Sequence, residues 1–255
     1  MRSSKPGWAH PRARKEGFLW HFDSEFSEIV ERTPSVKSFR FPRRIKSAPY
    51  KPGQFFFLTI KIKGEDALHH FSFSSSPSDE GYIEFTKRIT AHDYSQALNA
   101  MQPGSWAHLQ GPEGDFLLPP LGRQLAFLTG GIGITPVRSM LRYIAYHKLN
   151  YNVVLLYGNS SFEEIVFREE LTGLAAAHTS IRVEHLLSGP SLPSDWKGRK
   201  GLIDKAAVIE LVPDYKERLF YVSGPPTMVM TIVEQLGALR IPQQQIRRDS
   251  FTGYD

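Results

Sequence analysis

A glycine-rich segment at residues 130–136 is the strongest candidate for chemistry in this chain of 255 residues. It reads Gly130-Gly131-Ile132-Gly133-Ile134-Thr135-Pro136 and follows the uniformly apolar run 125–129. Glycines let a backbone approach a ligand, and the free N–H groups at a helix start attract phosphate. Thr135 is suited to cap such a helix and Pro136 to occupy its first position. The segment predicts a phosphate-binding loop, although glycines at a tight turn can also serve packing alone.

Two adjacent histidines, His69 and His70, form the next cluster of reactive side chains. Adjacent histidines are more often surface or structural residues than ligands, and the sequence indicates no further ligands, so we expect no metal site. The chain has no cysteine, which excludes disulfides, iron–sulfur clusters, cysteine-ligated zinc and a cysteine nucleophile. Redox chemistry would therefore need an organic cofactor or a metal site without cysteine.

Strands and helices alternate in the second half of the chain, around the glycine-rich segment. Predicted strands cover residues 125–129, 153–157, 181–187 and 219–223; a predicted helix opens at 136, and others cover 162–171, 204–211 and 227–236. This alternation is typical of a doubly wound parallel sheet with helices on both faces. Ligands of such sheets bind at the carboxyl ends of the strands, where the segment 130–136 falls.

Short β-rich runs separated by Gly and Pro turns fill the first half. They cover residues 28–33, 36–41, 54–63, 82–86 and 105–110 and predict an antiparallel β-barrel. A linker is predicted at 117–122. The expected organisation is a basic flexible leader at 1–21, the barrel at 22–118 and the α/β domain at 119–255.

The composition is that of a globular protein, with 41% hydrophobic residues. The net charge of +5 is concentrated in residues 1–20, so the body of the chain is close to neutral and no nucleic-acid partner is expected. No stretch approaches the roughly 18 apolar residues of a membrane span, and no secretory signal is recognisable. We expect a cytoplasmic protein.

Several motifs, in order, resemble those of the ferredoxin–NADP reductase superfamily. Segment 130–136 is similar to the family's nicotinamide dinucleotide loop, 155–159 to its second strand, and 221–228 to its Cys-Gly-Pro-Pro-x-Met segment. Residues 69–77 are similar to its Arg-x-Tyr-Ser/Thr flavin motif, with His69 for Arg and Phe71 for Tyr. The ending 251–254 resembles the family's aromatic terminus. The resemblance implies a flavin-binding barrel and a nicotinamide nucleotide domain, without an iron–sulfur domain.

The resemblance also implies roles for individual residues. Two are catalytic, Ser72 beside flavin N5 and Ser223 beside the nicotinamide, where relatives usually carry cysteine. Flavin-binding residues are His69, Phe71, Ser72, Thr86, Lys87, Arg88, Ser95 and Phe251, the last covering the flavin face. Nucleotide-binding residues are Gly130, Gly131, Gly133, Thr135, Pro136, Tyr157, Gly158, Asn159, Gly224, Pro225 and Met228. The stretch at His92 and Asp93 lacks the glycine of the family's pyrophosphate turn.

The function implied is hydride transfer from NAD(P)H to FAD, followed by electron delivery to a separate ferredoxin, flavodoxin or haem protein. FAD is expected over FMN because the segment around Ser95 would meet a pyrophosphate. NADH is expected over NADPH because residues 159–164 offer no cation for a 2′-phosphate and include two carboxylates. Arg182 of the next strand is the one residue considered able to supply that cation.

Two other functions stay open at this point. One is a flavin- or nucleotide-binding electron-transfer or regulatory subunit of a larger redox complex, and the other is the soluble dehydrogenase part of a ferric-reductase-type system. A basic cluster is interpreted first as a solvated face and second as a dock for an acidic ferredoxin or flavodoxin. It comprises Lys37, Arg40, Arg43, Arg44, Lys46 and Lys51.

Overall fold

The computed structural model describes residues 20–43, 48–190 and 192–251. They form two domains joined by an irregular segment at 114–123, which contains the predicted linker. The predicted leader at 1–21 lies outside the described residues except for Trp20 and His21. These two already belong to the first strand, so the first domain begins at or before Trp20 and not at residue 22.

The first domain consists of two antiparallel sheets around one core. Its elements are β1 (Trp20–Glu25), β2 (Glu28–Thr33), β3 (Val36–Pro42), β4 (Phe55–Ile62), β5 (Glu65–Ser72), β6 (Tyr82–Arg88), α1 (Asp93–Ala100) and β7 (Trp106–Glu113). The sheets have the strand orders β1-β7-β4-β5 and β2-β3-β6. Alternate inward residues meet in an aromatic core that includes Phe39, Phe56 and Phe85, as expected for strands buried on one face.

The second domain is a six-stranded parallel sheet. Its elements are β8 (Gln124–Gly130), α2 (Ile134–Tyr146), β9 (Asn152–Asn159), α3 (Arg168–Ala177), β10 (Ile181–Leu187), β11 (Arg199–Lys200), α4 (Lys205–Leu211), β12 (Leu219–Gly224), α5 (Pro226–Ala238) and β13 (Ile246–Ser250). The strand order is β11-β10-β9-β8-β12-β13. Helices α2 and α3 cover one face, and α4 and α5 cover the other. The predicted two-domain fold class is confirmed.

Two helix starts differ from the prediction. A 3-10 turn at Gly131–Gly133 continues into α2, which begins at Ile134, so Thr135 is not its cap and Pro136 is not its first residue. A proline is tolerated there because the first-turn N–H groups have no partner within a helix. The helix predicted at 162–171 begins only at Arg168, because Phe167 adopts a left-handed backbone with φ 60°.

The two domains meet along one face of α2. Ser139 Oγ donates to the carbonyl of Ser75 at 2.6 Å, and Arg142 binds Asp79 at 2.5 Å. Arg138 donates to the carbonyl of Ser74 at 2.7 Å. The turn at 74–79 follows directly on β5, so the helix that leaves the glycine-rich segment is fastened to the segment that follows Ser72.

Candidate functional site

A cavity of about 400 Å³ lies between the two domains. Strands β5 and β6 and the start of α1 form one side, while α2 and the residues around the end of β13 form the other. Its lining comprises Phe55, His69, His70, Phe71, Ser72, Thr86, Lys87, Thr90, His92, Tyr94, Ser95, Thr135, Asp249 and Phe251. A volume of this size suits an organic ligand, and the site draws side chains from both domains.

Aromatic rings form the apolar part of this cavity. Phe71 is buried and stacks on Phe85, with ring centroids 4.5 Å apart. Phe55 faces Ser72 across the β4–β5 pair. Phe251, half-buried, is fixed by its backbone N–H, which donates to the carbonyl of Gly224 at 3.0 Å. The predicted residues Phe71, Ser72 and Phe251 therefore line one cavity, as an aromatic ring system would require.

Basic and polar groups form the opposite part. Burial lowers the pKa of Lys87, and burial together with the nearby Lys87 and His70 lowers the pKa of His69. The imidazole of His69 lies 4.0 Å from the ring of Tyr94, centroid to centroid. Ser95 Oγ accepts the backbone N–H of Thr90 at 2.8 Å. The hydroxyl of Thr90 is buried and has no hydrogen-bond partner among the described residues, so the cavity wall offers an unsatisfied polar atom.

Two predicted flavin-binding residues on β6 have other partners. The hydroxyl of Thr86 is engaged by Ser38 at 2.7 Å and by Ser74 at 2.8 Å. Arg88 does not line the cavity, because its guanidinium crosses to the second domain and binds Glu164. Thr86 reaches the cavity wall with its hydroxyl already bonded, and Arg88 contributes to the interface between the domains.

The glycine-rich segment packs against the ends of β12 and α5. A Cβ on Gly133 would lie 2.4 Å from the carbonyl oxygen of Ser223, and one on Gly130 would lie 2.2 Å from Met228 Sδ. Gly133 is required for close packing, the alternative considered for the motif, because a Cβ there meets backbone; at Gly130 the Cβ meets only the flexible side chain of Met228. Gly131 differs, since it has a left-handed backbone with φ 51° and open space beside it. The nearest atom to a Cβ there is the guanidinium Nη2 of Arg88, at 4.0 Å.

Ser223 lies beneath this segment and outside the cavity lining. Its side chain is fully buried; its hydroxyl donates to the carbonyl of Gly133 at 2.8 Å, and the hydroxyl of Thr129 lies 3.1 Å away. The structure thus places Ser72 on the cavity wall and Ser223 behind the loop. The predicted contact of Ser223 with a nicotinamide stays a prediction.

The other nucleotide-domain residues cluster around the same loop. Tyr157 is buried, and its hydroxyl donates to the carbonyl of Gly131 at 3.0 Å, so it supports the loop from behind. Gly158 pairs with Gly130 at the carboxyl ends of β9 and β8. Pro225 caps α5, next to Gly224 with φ 147°. The remaining predicted nucleotide-binding residues are Thr135, Pro136, Asn159 and Met228. Of these four, Thr135 lines the cavity.

Asp249 is the main cavity residue that the sequence did not reveal. It pairs with Ser223 in the β12–β13 register and lies two positions before Phe251. Burial, with a smaller contribution from the nearby Asp115, raises its pKa to about 6. A carboxyl group with such a pKa can exchange a proton near neutral pH. Its position before the predicted aromatic terminus was the available signal.

Two charged features noted in the sequence have partners within the chain. Arg182 pairs with Val154 near the start of the parallel strands and donates to the carbonyl of Leu211, so it cannot serve a ligand at their carboxyl ends. In the basic cluster, Arg40 binds Glu28 and Glu84. Arg43 donates to the carbonyl of Pro77 at 2.8 Å. Both guanidinium groups are engaged within the domain; Arg44 and Lys46 lie outside the described residues.

Comparison with known families divides the chain as its fold does. Residues 25–117 match the oxidoreductase FAD-binding domain, and residues 127–234 match the oxidoreductase NAD-binding domain. Both boundaries agree with the two domains of the structure. The assignment of a flavin and a nicotinamide nucleotide to this chain is thereby supported independently of single motifs.

Curated relatives are longer than this chain. The glycine betaine monooxygenase reductase subunit of Chromohalobacter salexigens is 27% identical over 232 residues, which cover 88% of this chain and 62% of the relative. The ferredoxin reductase component of 3-ketosteroid-9-alpha-monooxygenase from Mycobacterium tuberculosis is 28% identical, with 89% and 64% covered. The chain therefore spans less than two thirds of the length of these relatives.

Solved structures share the fold. A cytochrome P450 reductase from Amycolatopsis superimposes with a TM-score of 0.81 at 22% identity, covering 95% of this chain and 73% of the other. A ferredoxin NADP+ reductase from Neisseria gonorrhoeae with bound FAD and NADP gives 0.76 at 22% identity, covering 90% and 98%. At this identity the likeness establishes the two-domain architecture.

Among the described residues, no helix combines the length and hydrophobicity needed to cross a membrane. In the same part of the chain, no group of three or more His, Cys, Asp or Glu side chains is arranged to hold a metal ion.

Proposed function

The chain belongs to the ferredoxin–NADP reductase-like oxidoreductases, and we propose that it carries electrons from NAD(P)H through FAD to a separate acceptor. The observation that supports this most is the shared cavity. Phe71 and Ser72 of the first domain face Thr135 and Phe251 of the second across it. A site that transfers hydride between two bound ring systems must hold both rings at such an interface.

The residues present fit a bound FAD. Phe71 and Phe251 supply apolar ring faces, and Ser72 supplies a hydroxyl beside them. His69, Lys87 and the orphaned hydroxyl of Thr90 supply donors for the phosphate-bearing part. FAD, when bound, would supply the hydride-accepting and electron-passing chemistry that the side chains lack.

The chain's own residues orient and shield the reactants. Phe251 covers the aromatic side of the cavity and excludes water from it. Ser72 donates a hydrogen bond at the ring edge, and Asp249 exchanges a proton in the same cavity. Ser223 holds Gly133 and so fixes the loop that binds the coenzyme, which makes it a positioning residue. These assignments are proposals drawn from where the side chains lie.

We propose NADH as the preferred coenzyme. The segment after β9, residues 159–164, carries no cation, and Arg182 is removed from consideration by its position at the other end of β10. A 2′-phosphate at that segment would meet the exposed carboxylate of Glu163 without a compensating charge from it. NADPH is expected to bind more weakly than NADH.

We propose that the acceptor is a separate protein: a ferredoxin, a flavodoxin or a haem protein. The two relatives described above support this, since both are named as reductase components of monooxygenases. No nucleic-acid partner is proposed. The cytoplasmic location stays a prediction from the sequence.

The proposal is tested by an anaerobic titration. The purified protein is reconstituted with FAD, and its visible spectrum is followed during addition of NADH and, separately, NADPH. We expect NADH to bleach the flavin band within seconds and NADPH to do so at higher concentration. A bound flavin that neither coenzyme bleaches would favour an electron-transfer or regulatory subunit. Failure to bind FAD would refute the assignment of the cavity.

A further inference from the structure

An arginine–carboxylate pair spans the cleft next to the glycine-rich loop. Arg88, at the end of β6, donates through Nη1 to Oε2 of Glu164, in the loop between β9 and α3. Ser35 joins the pair, since its hydroxyl accepts from Arg88 at 2.7 Å and donates to Glu164 at 3.1 Å. This bridge links the two domains on the side where Lys87, the neighbour of Arg88, lines the cavity.

The same guanidinium lies beside the one glycine of the loop that faces open space. Its Nη2 is 4.0 Å from the position of a Cβ on Gly131, whereas Gly130 and Gly133 are closed off by packing. A ligand phosphate that approaches the loop at Gly131 therefore comes within reach of Arg88. Arginine binds phosphate oxygens and carboxylate oxygens with the same planar fork of donors.

We propose that the carboxylate of Glu164 binds Arg88 where a coenzyme phosphate would otherwise bind, and that the pyrophosphate of the nicotinamide coenzyme displaces Glu164 from this arginine. This inference rests on the proposed function, because it requires the coenzyme at the glycine-rich loop. It reassigns Arg88 from the flavin, which its side chain does not face, to the coenzyme. Glu164 then acts as an internal competitor that weakens coenzyme binding.

The bridge has the properties of an exchangeable contact. The side chains of Arg88 and Glu164 are 30% and 23% exposed, so water can solvate either partner when the pair opens. An ion pair whose partners both keep contact with water is easier to open than a fully buried pair. A pyrophosphate carries more charge than a carboxylate and gains the loop N–H groups as well, so it can replace Glu164.

The test measures binding without catalysis. ADP-ribose contains the pyrophosphate and lacks the nicotinamide, and its affinity for the FAD-loaded protein is measured by calorimetry. Glu164→Gln should tighten ADP-ribose binding by about threefold, because the amide competes less well for Arg88. Arg88→Gln should weaken it by about tenfold. In the variant that combines both substitutions, Glu164→Gln should no longer increase the affinity for ADP-ribose, because Arg88 is absent.

Two controls separate this effect from general electrostatics. Glu163→Gln removes the same charge from the adjacent, exposed position and should change ADP-ribose affinity by less than about 1.5-fold. AMP, which has one phosphate and no pyrophosphate, should show less than half of the gain that ADP-ribose shows. FAD content, read from the visible spectrum, should stay at the wild-type level in every variant.

The outcomes distinguish this inference from the proposed function. Unchanged or weaker ADP-ribose binding in Glu164→Gln, or an equal gain in Glu163→Gln, would overturn the competition. A gain that persists in the Arg88→Gln background would overturn the role of Arg88. If NADH reduces the flavin of the wild type while these results fail, only the inference is lost. If no coenzyme reduces the flavin, the proposed function itself fails.

Discussion

Among the arginine–carboxylate bridges that join the domains, two differ clearly in burial. Glu84 of β6 and Arg138 of α2 meet at 2.7 Å with side chains that are 0% and 3% exposed. Arg88 and Glu164 meet at the cleft with side chains that are about a quarter exposed. The first cannot open without burying unpaired charges, whereas the second can open into water. The comparison indicates one bridge that fixes the domains and one that can yield to a ligand.

The buried bridge belongs to a network. Glu84 also binds Arg32 at 3.0 Å and Arg40 at 2.8 Å, and Arg138 also binds Glu170 at 2.9 Å. Burial alone would raise the pKa of Glu84, but the facing guanidinium groups hold it below its usual range. Arg138 also donates to the carbonyl of Ser74, so the network ties α2, which follows the glycine-rich loop, to the turn that follows Ser72.

The largest effect is expected from Glu84→Gln. Removing this carboxylate leaves several arginines facing one another without a counter-charge, and breaking a buried pair costs about 3–5 kcal/mol. Chemical denaturation at pH 7 should show that loss in the free energy of unfolding. A loss below about 1 kcal/mol would mean that the two bridges are energetically alike and that burial does not distinguish them.

A smaller effect is expected from Phe251→Ala, which removes an aromatic wall of the cavity. Loss of the aromatic face should weaken FAD binding about tenfold, measured by fluorescence titration. Trp106→Ala, on the outer face of β7, removes an exposed ring and serves as the control. If both variants bind FAD as the wild type does, Phe251 does not cover the flavin.

The next effect concerns pH. Burial raises the pKa of Asp249 from 3.8 to about 6, so its protonated form stabilises the fold below about pH 4 and this contribution is lost as the pH rises through 6. Asp249→Asn should therefore raise the free energy of unfolding by about 1 kcal/mol at pH 7 and leave it unchanged at pH 4. An equal change at both pH values would show that the carboxyl group does not titrate as described.

The smallest effect is expected from Glu164→Gln on stability. It is the same chemical change as Glu84→Gln, made in the partly exposed bridge, and should lower the free energy of unfolding by about 0.5 kcal/mol. High salt should reduce even this difference, because exposed pairs are screened. A loss approaching that of Glu84→Gln would show that this bridge also fixes the domains.

Much of the fold could be predicted from periodicity, and the exceptions have local causes. Strand β5 was not predicted because its inward residue His69 borders the cavity and not the core, which hides the alternation. Strand β13 was not predicted because its charged residues remove the apolar–polar alternation that indicates a strand. The apolar spacing around Ile165 and Phe167 suggested a helix. These residues lie in the loop before α3, and their side chains are buried in the core.

The site could be predicted in part. The flavin motif and the terminus led to Phe71, Ser72 and Phe251, which share the cavity. The bridges could not be predicted, because Glu84 and Arg138 are 54 positions apart and nothing in a single sequence shows that they meet. The partner of Arg88 was hidden for the same reason.

We expect the buried bridge to position the reactants and the partly exposed bridge to control coenzyme affinity. Rapid mixing of the FAD-loaded protein with NADH separates the two, since it gives a limiting rate of flavin reduction and a half-saturating concentration. Arg138→Lys, which keeps the charge and loses the fork, should lower the limiting rate about tenfold at unchanged half-saturation. Glu164→Gln should lower only the half-saturating concentration. If both variants changed the limiting rate, or both changed the half-saturating concentration, the two bridges would not have the separate roles proposed here.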